Sequence, residues 1–143
     1  MIANTPSITV IGFGEAGASL CIGWKRAGVR SFDIKQTQPQ TQAAMLAAMH
    51  KLGVESAADA ASAVSDADLI FSTVTADQAF DAASSVAPGL KPGAFFFDLN
   101  SCAPTTKQKS AAVIEAAGGC YVDIAVMATI TPRYHQTPML ICG

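Results

Sequence analysis

The chain has 143 residues, of which 50% are hydrophobic and 14% are charged, and its formal net charge is −2. One domain of this size buries roughly two-thirds of its unfolded surface, so we expect a well-developed core. The weak negative charge and the absence of a basic cluster argue against nucleic acid as a partner. No apolar run reaches the roughly 18 residues that a membrane-spanning helix needs.

The N-terminus and the cysteines indicate the compartment. Residues 1–7 lack the basic and apolar regions of a signal peptide. We expect a cytoplasmic protein with reduced thiols, and neither a disulfide framework nor a metal site. The four cysteines are widely spaced and form no Cys-x-x-Cys pair: Cys21, Cys102, Cys120 and Cys142.

The first predicted elements are a strand at residues 7–11 and a helix at residues 15–27. The pattern Gly12-x-Gly14-x-x-Gly17 joins them. Gly12 permits a tight turn, Gly14 lets the backbone approach a pyrophosphate, and Gly17 lets the helix pack closely on the strand. The helix N-terminus offers free N–H groups and a partial positive charge to phosphates. With a strand before it and a helix after it, the pattern predicts a dinucleotide-binding loop.

Two other interpretations of this loop stay open. A glycine-rich structural turn would show the same spacing. A methyltransferase loop usually has an acidic residue shortly before its first glycine, whereas residues 8–11 are Ile, Thr, Val and Ile.

A second strand is predicted at residues 29–34 and carries Asp33 near its end, about twenty residues after the first glycine. A carboxylate there accepts hydrogen bonds from the adenosine ribose hydroxyls. Its charge repels a 2′-phosphate and so favours NAD over NADP, although the nearby Lys35 softens that preference. The alternative is a solvated residue at a strand end.

The rest of the chain continues the alternation of strands and helices. Strict alternation predicts right-handed crossovers and an α/β fold, a doubly wound parallel sheet with helices on both faces. The chain stops just after an apolar run, so we expect a fragment of a longer enzyme. Further strands are predicted at residues 54–56, 69–74, 94–99 and 120–125, helices at 39–52, 57–65, 77–86 and 104–117, and a final apolar run at 138–142.

Three segments resemble the N-terminal cofactor domain of the β-hydroxyacid dehydrogenases, the family of 3-hydroxyisobutyrate and 6-phosphogluconate dehydrogenases. They are Ile11-Gly-Phe-Gly-Glu-Ala-Gly17, Asp68-Leu-Ile-Phe-Ser-Thr-Val-Thr75 and Asp98-Leu-Asn-Ser-Cys-Ala-Pro104. The second is similar to the family strand whose exit loop borders the nicotinamide ribose. The third is similar to the Asp-x-Ser-Thr-x-x-Pro substrate stretch, and Asn100 and Ser101 fall on its Ser-Thr pair.

The resemblance implies a Rossmann-type domain over residues 1–143 that binds NAD, with NADP as a second option. It also implies a helical C-terminal domain beyond residue 143 that carries the catalytic lysine, so we expect no catalytic residue in this chain. One departure leaves the substrate class open. The family's Pro-Val-Ser-Gly-Gly segment is replaced here by Ala125-Val-Met-Ala-Thr129.

The predicted contacts follow from these segments. His135 and Arg133 suggest an acid and a carboxylate clamp, or two solvated side chains. Asn100 and Ser101 suit contact with substrate or nicotinamide, and the alternative is a capping role, since Ser101 lies just before a predicted helix. We expect His50 at the surface and phenylalanines 95 to 97 in the core. The predicted cofactor contacts are Gly12, Phe13, Gly14, Glu15, Ala16, Gly17, Asp33, Val74 and Thr75, and the predicted substrate contacts are Asn100, Ser101 and Cys102.

These observations predict the dinucleotide-binding domain of a homo-oligomeric oxidoreductase. It would transfer a hydride between NAD(P) and a small-molecule substrate, a hydroxy acid or alcohol. Two alternatives remain: a non-catalytic dinucleotide-binding module that acts as a redox sensor or regulator, and a structural domain with a vestigial loop. We also expect an exposed apolar surface near residues 125–127 and 139–141.

Overall fold

The computed structural model describes residues 4–143, which form one sheet flanked by helices. The sheet has seven strands in the order β3-β2-β1-β4-β5-β6-β7. The strands are β1 (Ile8–Ile11), β2 (Arg30–Phe32), β3 (Glu55–Ser56), β4 (Leu69–Ser72), β5 (Phe95–Asp98), β6 (Cys120–Val126) and β7 (Met139–Cys142). The helices are α1 (Glu15–Trp24), α2 (Gln42–Lys51), α3 (Ala60–Val64), α4 (Ala79–Val86) and α5 (Pro104–Ala116), with 3-10 turns at Ile34–Thr37, Ala76–Gln78, Ala87–Gly89 and Tyr134–Gln136.

The first six strands pair in parallel, and this confirms the doubly wound α/β fold. The fully parallel sheet is wrong in one place, because β7 pairs antiparallel with β6. Residues 127–138 between them hold only one 3-10 turn, which is too little for a parallel crossover, whereas a short loop suffices for an antiparallel return.

Helix α1 is shorter than predicted. Lys25 adopts a left-handed conformation with φ +48°, and its backbone N–H bonds the Cys21 carbonyl to close the helix. The second strand is also shorter, because Asp33 caps the following 3-10 turn. That turn covers Ile34–Thr37, and α2 begins after it at Gln42.

Each face of the sheet carries its own core. One core joins the sheet to α3, α4 and α5 and includes the fully buried Phe96. The other lies under α1 and α2. The prediction that all three phenylalanines of β5 are core is wrong for Phe95, which is 44% exposed. Phe95 is the last ring of a series that runs from Trp24 through Phe71 and Phe97.

The chain order creates a crevice. After β3 the chain crosses back to place β4 on the other side of β1, so the loops that leave β1 and β4 run in opposite directions. Ligands of doubly wound sheets bind in this position, at the carboxyl ends of the strands. The fold therefore places the glycine loop, the exit of β2 and the exit of β4 around one opening.

Candidate functional site

A cleft of about 710 Å³ opens at the carboxyl ends of β1, β2 and β4. Its walls include seven of the nine predicted cofactor contacts; Phe13 and Gly17 are not among the lining residues. Its charged lining residues are four acids and one base. The seven contacts are Gly12, Gly14, Glu15, Ala16, Asp33, Val74 and Thr75, and the charged residues are Glu15, Asp33, Asp59, Asp81 and Lys35.

The three glycines of the loop meet different constraints. Gly12 has φ +89°, and a Cβ on it would overlap the carbonyl oxygen of Thr73. A Cβ on Gly17 would overlap the carbonyl oxygen of Gly12, so Gly17 permits the close approach of α1 to the loop. A Cβ on Gly14 would meet nothing within 4 Å. The protein therefore leaves the space above Gly14 open on the cleft side.

Phe13 supports the loop from below. Its side chain is buried in the core under α1 and α2. Its backbone N–H donates to Asp33 Oδ2 at 2.7 Å, so this group is already satisfied by the protein. The structure thus makes Phe13 a link between the glycine loop and the end of β2.

Asp33 is the acceptor of this link and is 8% exposed. Its Oδ1 accepts from the backbone N–H of Lys35 at 2.8 Å, and Gln36 completes a capping box around it. Each carboxylate oxygen can accept a second hydrogen bond. Asp33 therefore fixes the loop and still has acceptor capacity at the wall of the cleft.

The exit of β4 borders the same cleft through residues 73–75. Thr73 Oγ1 donates to the Gly12 carbonyl oxygen at 2.7 Å, which ties this exit to the glycine loop. Sequence reasoning missed Thr73, although it follows β4 directly within the second family-like segment. The backbone N–H of Val74 donates to Asn100 Oδ1 at 2.8 Å.

The structure buries Asn100, one of the three predicted substrate contacts. It is 4% exposed, and its Nδ2 donates to Ser72 Oγ at 3.0 Å. Its amide oxygen is held by Val74. Both ends of the side chain are therefore engaged inside the protein, between the exits of β4 and β5.

A second cleft of about 560 Å³ lies beside the first and shares Glu15 and Ala16 with it. Ser101 lines this cleft and is exposed. Ser101 does not cap α5; that helix starts after Ala103 with Pro104 in its first turn and no side-chain cap. Thr129 also lines this cleft. The remaining lining side chains are apolar: Leu99, Val126, Met127, Ala128 and Ile130.

Cys102, the third predicted substrate contact, lines neither cleft. Burial raises the pKa of its thiol, and the neighbouring Asp98 carboxylate raises it further. The thiol therefore stays protonated at neutral pH, which makes it a poor nucleophile or metal ligand.

A buried polar cluster lies behind the β5 exit, and sequence reasoning missed it. The carboxylate of Asp98 is fully buried and accepts from Tyr121 Oη at 2.7 Å. Lys107 Nζ donates to the Asp98 carbonyl oxygen at 3.2 Å and to the carboxylate of Asp123. Burial and the hydrogen bond to Asp98 raise the pKa of Tyr121. Only the parallel register, which sets Asp98 beside Asp123, brings these residues together.

The two residues predicted as an acid and a clamp line neither cleft. Arg133 and His135 are exposed. His135 packs against α1, where a Cβ on Gly23 would overlap its Nδ1. His50 is exposed on α2, as predicted.

Over residues 4–143, none of the helices combines the length and the apolar character required to cross a membrane. Within the same range, no three His, Cys, Asp or Glu side chains are grouped closely enough to bind a metal ion.

The comparisons with known proteins agree with this geometry. Residues 7–136 match the family described as the NAD binding domain of 6-phosphogluconate dehydrogenase. A conserved hypothetical protein from Sinorhizobium meliloti 1021 is 35% identical, with a TM-score of 0.87 over 95% of this chain and 46% of that one. No curated protein matches the chain at a significant level.

Two structures with named activities are more distant. The 3-hydroxyisobutyrate dehydrogenase of Mycobacterium tuberculosis, solved with L-serine, is 22% identical, with a TM-score of 0.74 over 88% of this chain and 42% of that one. A variant of the imine reductase from Myxococcus stipitatus, in complex with NAD+, is 25% identical, with a TM-score of 0.72 over 87% of this chain and 42% of that one. The chain spans less than half the length of each of these three structures.

Proposed function

The chain belongs to the family of NAD binding domains of 6-phosphogluconate dehydrogenase, and from this membership we propose that it is the cofactor half of an oxidoreductase. The enzyme transfers a hydride between a nicotinamide cofactor and a small hydroxy acid or alcohol. The observation that carries the proposal is the pair of adjoining clefts that share Glu15 and Ala16. A dinucleotide extended along the first cleft presents its nicotinamide end at the mouth of the second.

Each wall of the first cleft has a role in this arrangement. The open space above Gly14 and the N-terminus of α1 receive the pyrophosphate. Asp33 accepts hydrogen bonds from the adenosine ribose, and Val74 and Thr75 contact the nicotinamide ribose. NAD supplies the hydride chemistry when it is bound, and the residues of this chain bind and orient it.

Ser101 is the substrate contact that we propose on the second cleft. Its side chain is exposed in the wall of the second cleft, where it can hydrogen-bond a substrate oxygen. The apolar walls around it favour a small substrate with a short aliphatic part.

The second candidate is a dinucleotide-binding module without turnover, a redox sensor or regulator. One observation favours it: Glu15 is the only titratable side chain among the described residues of the second cleft. General acid–base catalysis needs a titratable group within hydrogen-bond reach of the reacting oxygen.

For the enzyme candidate, we propose that a further domain supplies this titratable group. We also propose that the protein acts in the cytoplasm, where its four free thiols stay reduced.

Fluorescence titration with NADH tests both candidates. A dissociation constant of about 1 mM corresponds to a binding free energy of roughly −4 kcal/mol. If the protein does not bind NADH at about millimolar concentration, both candidate functions are excluded. The full-length gene product is then assayed against hydroxy acids, alcohols and imines, because the relatives include a hydroxyacid dehydrogenase and an imine reductase. Turnover of a hydroxy acid or alcohol supports the enzyme, whereas binding without turnover of any of the compounds supports the sensor.

A further inference from the structure

The β4 exit at residues 73–75 is held from two sides. On one side, Thr73 donates through its backbone N–H to Ile11 at 2.8 Å and through Oγ1 to Gly12 at 2.7 Å. On the other side, the backbone N–H of Val74 donates to Asn100 Oδ1 at 2.8 Å. The glycine loop and Asn100 together therefore fix the segment that borders the cofactor cleft.

Asn100 has one orientation in which all of its contacts are made. Its Oδ1 faces the N–H of Val74, and its Nδ2 faces Ser72 Oγ, which is fully buried at the end of β4. A reversed amide would place two donors against each other at Val74. The contacts thus fix the amide as a brace between two neighbouring strands.

Asp98 fixes the backbone of this brace. Its Oδ1 accepts from the backbone N–H of Asn100 at 2.9 Å, and its Oδ2 accepts from Tyr121 Oη. Lys107 Nζ lies 3.8 Å from Asp98 Oδ1 and balances the buried charge. A buried carboxylate with such partners is held in one position, because the loss of any of these hydrogen bonds would leave its charge uncompensated.

We propose that Asn100 is a positioning residue for the cofactor and not a ligand of the substrate: by holding Val74, it sets the wall along which the nicotinamide ribose lies. Asp98 and Tyr121 act behind it by orienting its backbone. The substrate contact then falls to the neighbouring Ser101 alone. This inference rests on the proposed function, since it takes the first cleft as the site of NAD.

The first test replaces Asn100 with alanine and measures two ligands. Asn100→Ala leaves the N–H of Val74 without its acceptor, and we expect NADH affinity to fall by about tenfold or more. ADP carries the adenosine and both phosphates but no nicotinamide ribose, so its affinity stays within about twofold. The control Gln108→Ala removes an exposed amide on α5 and leaves both affinities unchanged.

The second test replaces Asn100 with aspartate and varies pH. Burial and the nearby Asp98 raise the pKa of the new carboxyl group. Its protonated form reproduces the acceptor and the donor of the native amide, whereas its ionised form loses the donor to Ser72 Oγ and adds a second negative charge beside Asp98. The ratio of variant to wild-type NADH affinity therefore rises as the pH falls from about 8 to about 5. The titratable groups around the position are Asp98, Cys102, Lys107, Tyr121 and Asp123.

Each result decides between the alternatives. Equal losses of NADH and ADP affinity, with a lowered melting temperature, would mean that Asn100 only supports the fold and would overturn the proposal. So would unchanged NADH affinity together with a raised substrate KM in the full-length protein. If the Asn100→Ala variant does not fold, the Asn100→Asp ratio decides, and a flat ratio contradicts the proposal. Absence of NADH binding by the wild type would instead refute the proposed function.

Discussion

Asp33 carries two tasks on one carboxylate. It holds the N–H groups of Phe13 and Lys35, and it lies in the wall of the cleft. Asp33→Ala should weaken NAD binding by about 1–3 kcal/mol, since hydrogen bonds to a charged acceptor are lost. NADP affinity should fall far less, or rise, because the negative charge no longer repels the 2′-phosphate. Parallel titrations with NADH and NADPH measure the difference.

The matched variant is Asp33→Asn, which removes the charge and keeps one oxygen as an acceptor. It should shift the preference toward NADP with a smaller change in melting temperature than the alanine variant. Wild-type protein that binds NADP tenfold more tightly than NAD would refute this role of Asp33.

The glycine loop separates a requirement of binding from a requirement of folding. Gly14 is extended, and a Cβ there meets nothing within 4 Å, so Gly14→Val should leave the fold intact. The same side chain would occupy the place of the pyrophosphate, and binding of both cofactors should be lost. Gly17→Ala should instead lower the melting temperature, because its methyl group overlaps the Gly12 carbonyl. A Gly14→Val variant that still binds NADH would contradict the assignment of the loop.

Sequence reasoning reached the residues of this loop because their spacing is local. It could not reach the orientation of the Asn100 side chain, since the partner Val74 lies 26 residues away, in the segment that follows β4. Nor could it find the bond between Tyr121 and Asp98, which exists only because β5 and β6 pair in a given register.

At the scale of elements, β1 and β4 are joined at their starts by Asp68. Its carboxylate accepts from the backbone N–H of Ser7 at 2.8 Å and from Lys91 Nζ. The hydrogen bond from Lys91, followed by those from Ser7, lowers the pKa of Asp68 to about 2. Because the folded-state pKa lies below the unfolded value, this stabilisation is complete above about pH 4 and is lost as the pH falls toward 2.

Asp68→Asn should therefore melt at a lower temperature than the wild type at neutral pH, and the gap should narrow as the pH falls below about 4. Since Lys91 and Asp68 are both substantially exposed, salt should also reduce the gap. Thermal scans at several pH values measure it. Asp66→Asn, which removes a longer and more exposed pairing with Arg30, is the control that should change little. A gap independent of pH would show that the charge of Asp68 is not the cause.

The element predictions are correct where hydrophobic runs and glycines mark the elements. They are wrong where the conformation of a single residue or a short loop sets the end or the direction of an element. The existence and order of the first six strands follow from such runs. The end of α1 depends on the left-handed conformation of Lys25. The antiparallel direction of β7 depends on the absence of a crossover helix within residues 127–138. The apolar run at 138–142 marks a strand but does not tell which way it pairs.

At the scale of the whole molecule, apolar side chains gather at the β6–β7 edge. Met127, Leu140 and Ile141 are 59%, 62% and 69% exposed. Contiguous exposed apolar surface favours association. We expect residues 1–143 to form dimers or larger species, measured as mass by light scattering. Leu140→Lys with Ile141→Lys should shift the protein toward the monomer, and a wild-type mass equal to one chain at all concentrations would contradict this.

The last prediction concerns catalysis by residues 1–143 alone. We expect this chain to bind the cofactor and to catalyse no measurable turnover. Oxidation of a hydroxyl carbon needs an acceptor for the hydroxyl proton, and acid–base catalysis contributes about 10²–10⁴-fold. The second cleft offers only the carboxylate of Glu15 among its described lining residues. Lys107 is bound to Asp98 and Asp123, and His135 packs against α1. The assay follows NAD reduction with 3-hydroxyisobutyrate and related acids, after NADH binding has been verified. Robust turnover would show that the proton acceptor lies within this chain, and variants of Glu15, His135 and Lys107 would then identify it.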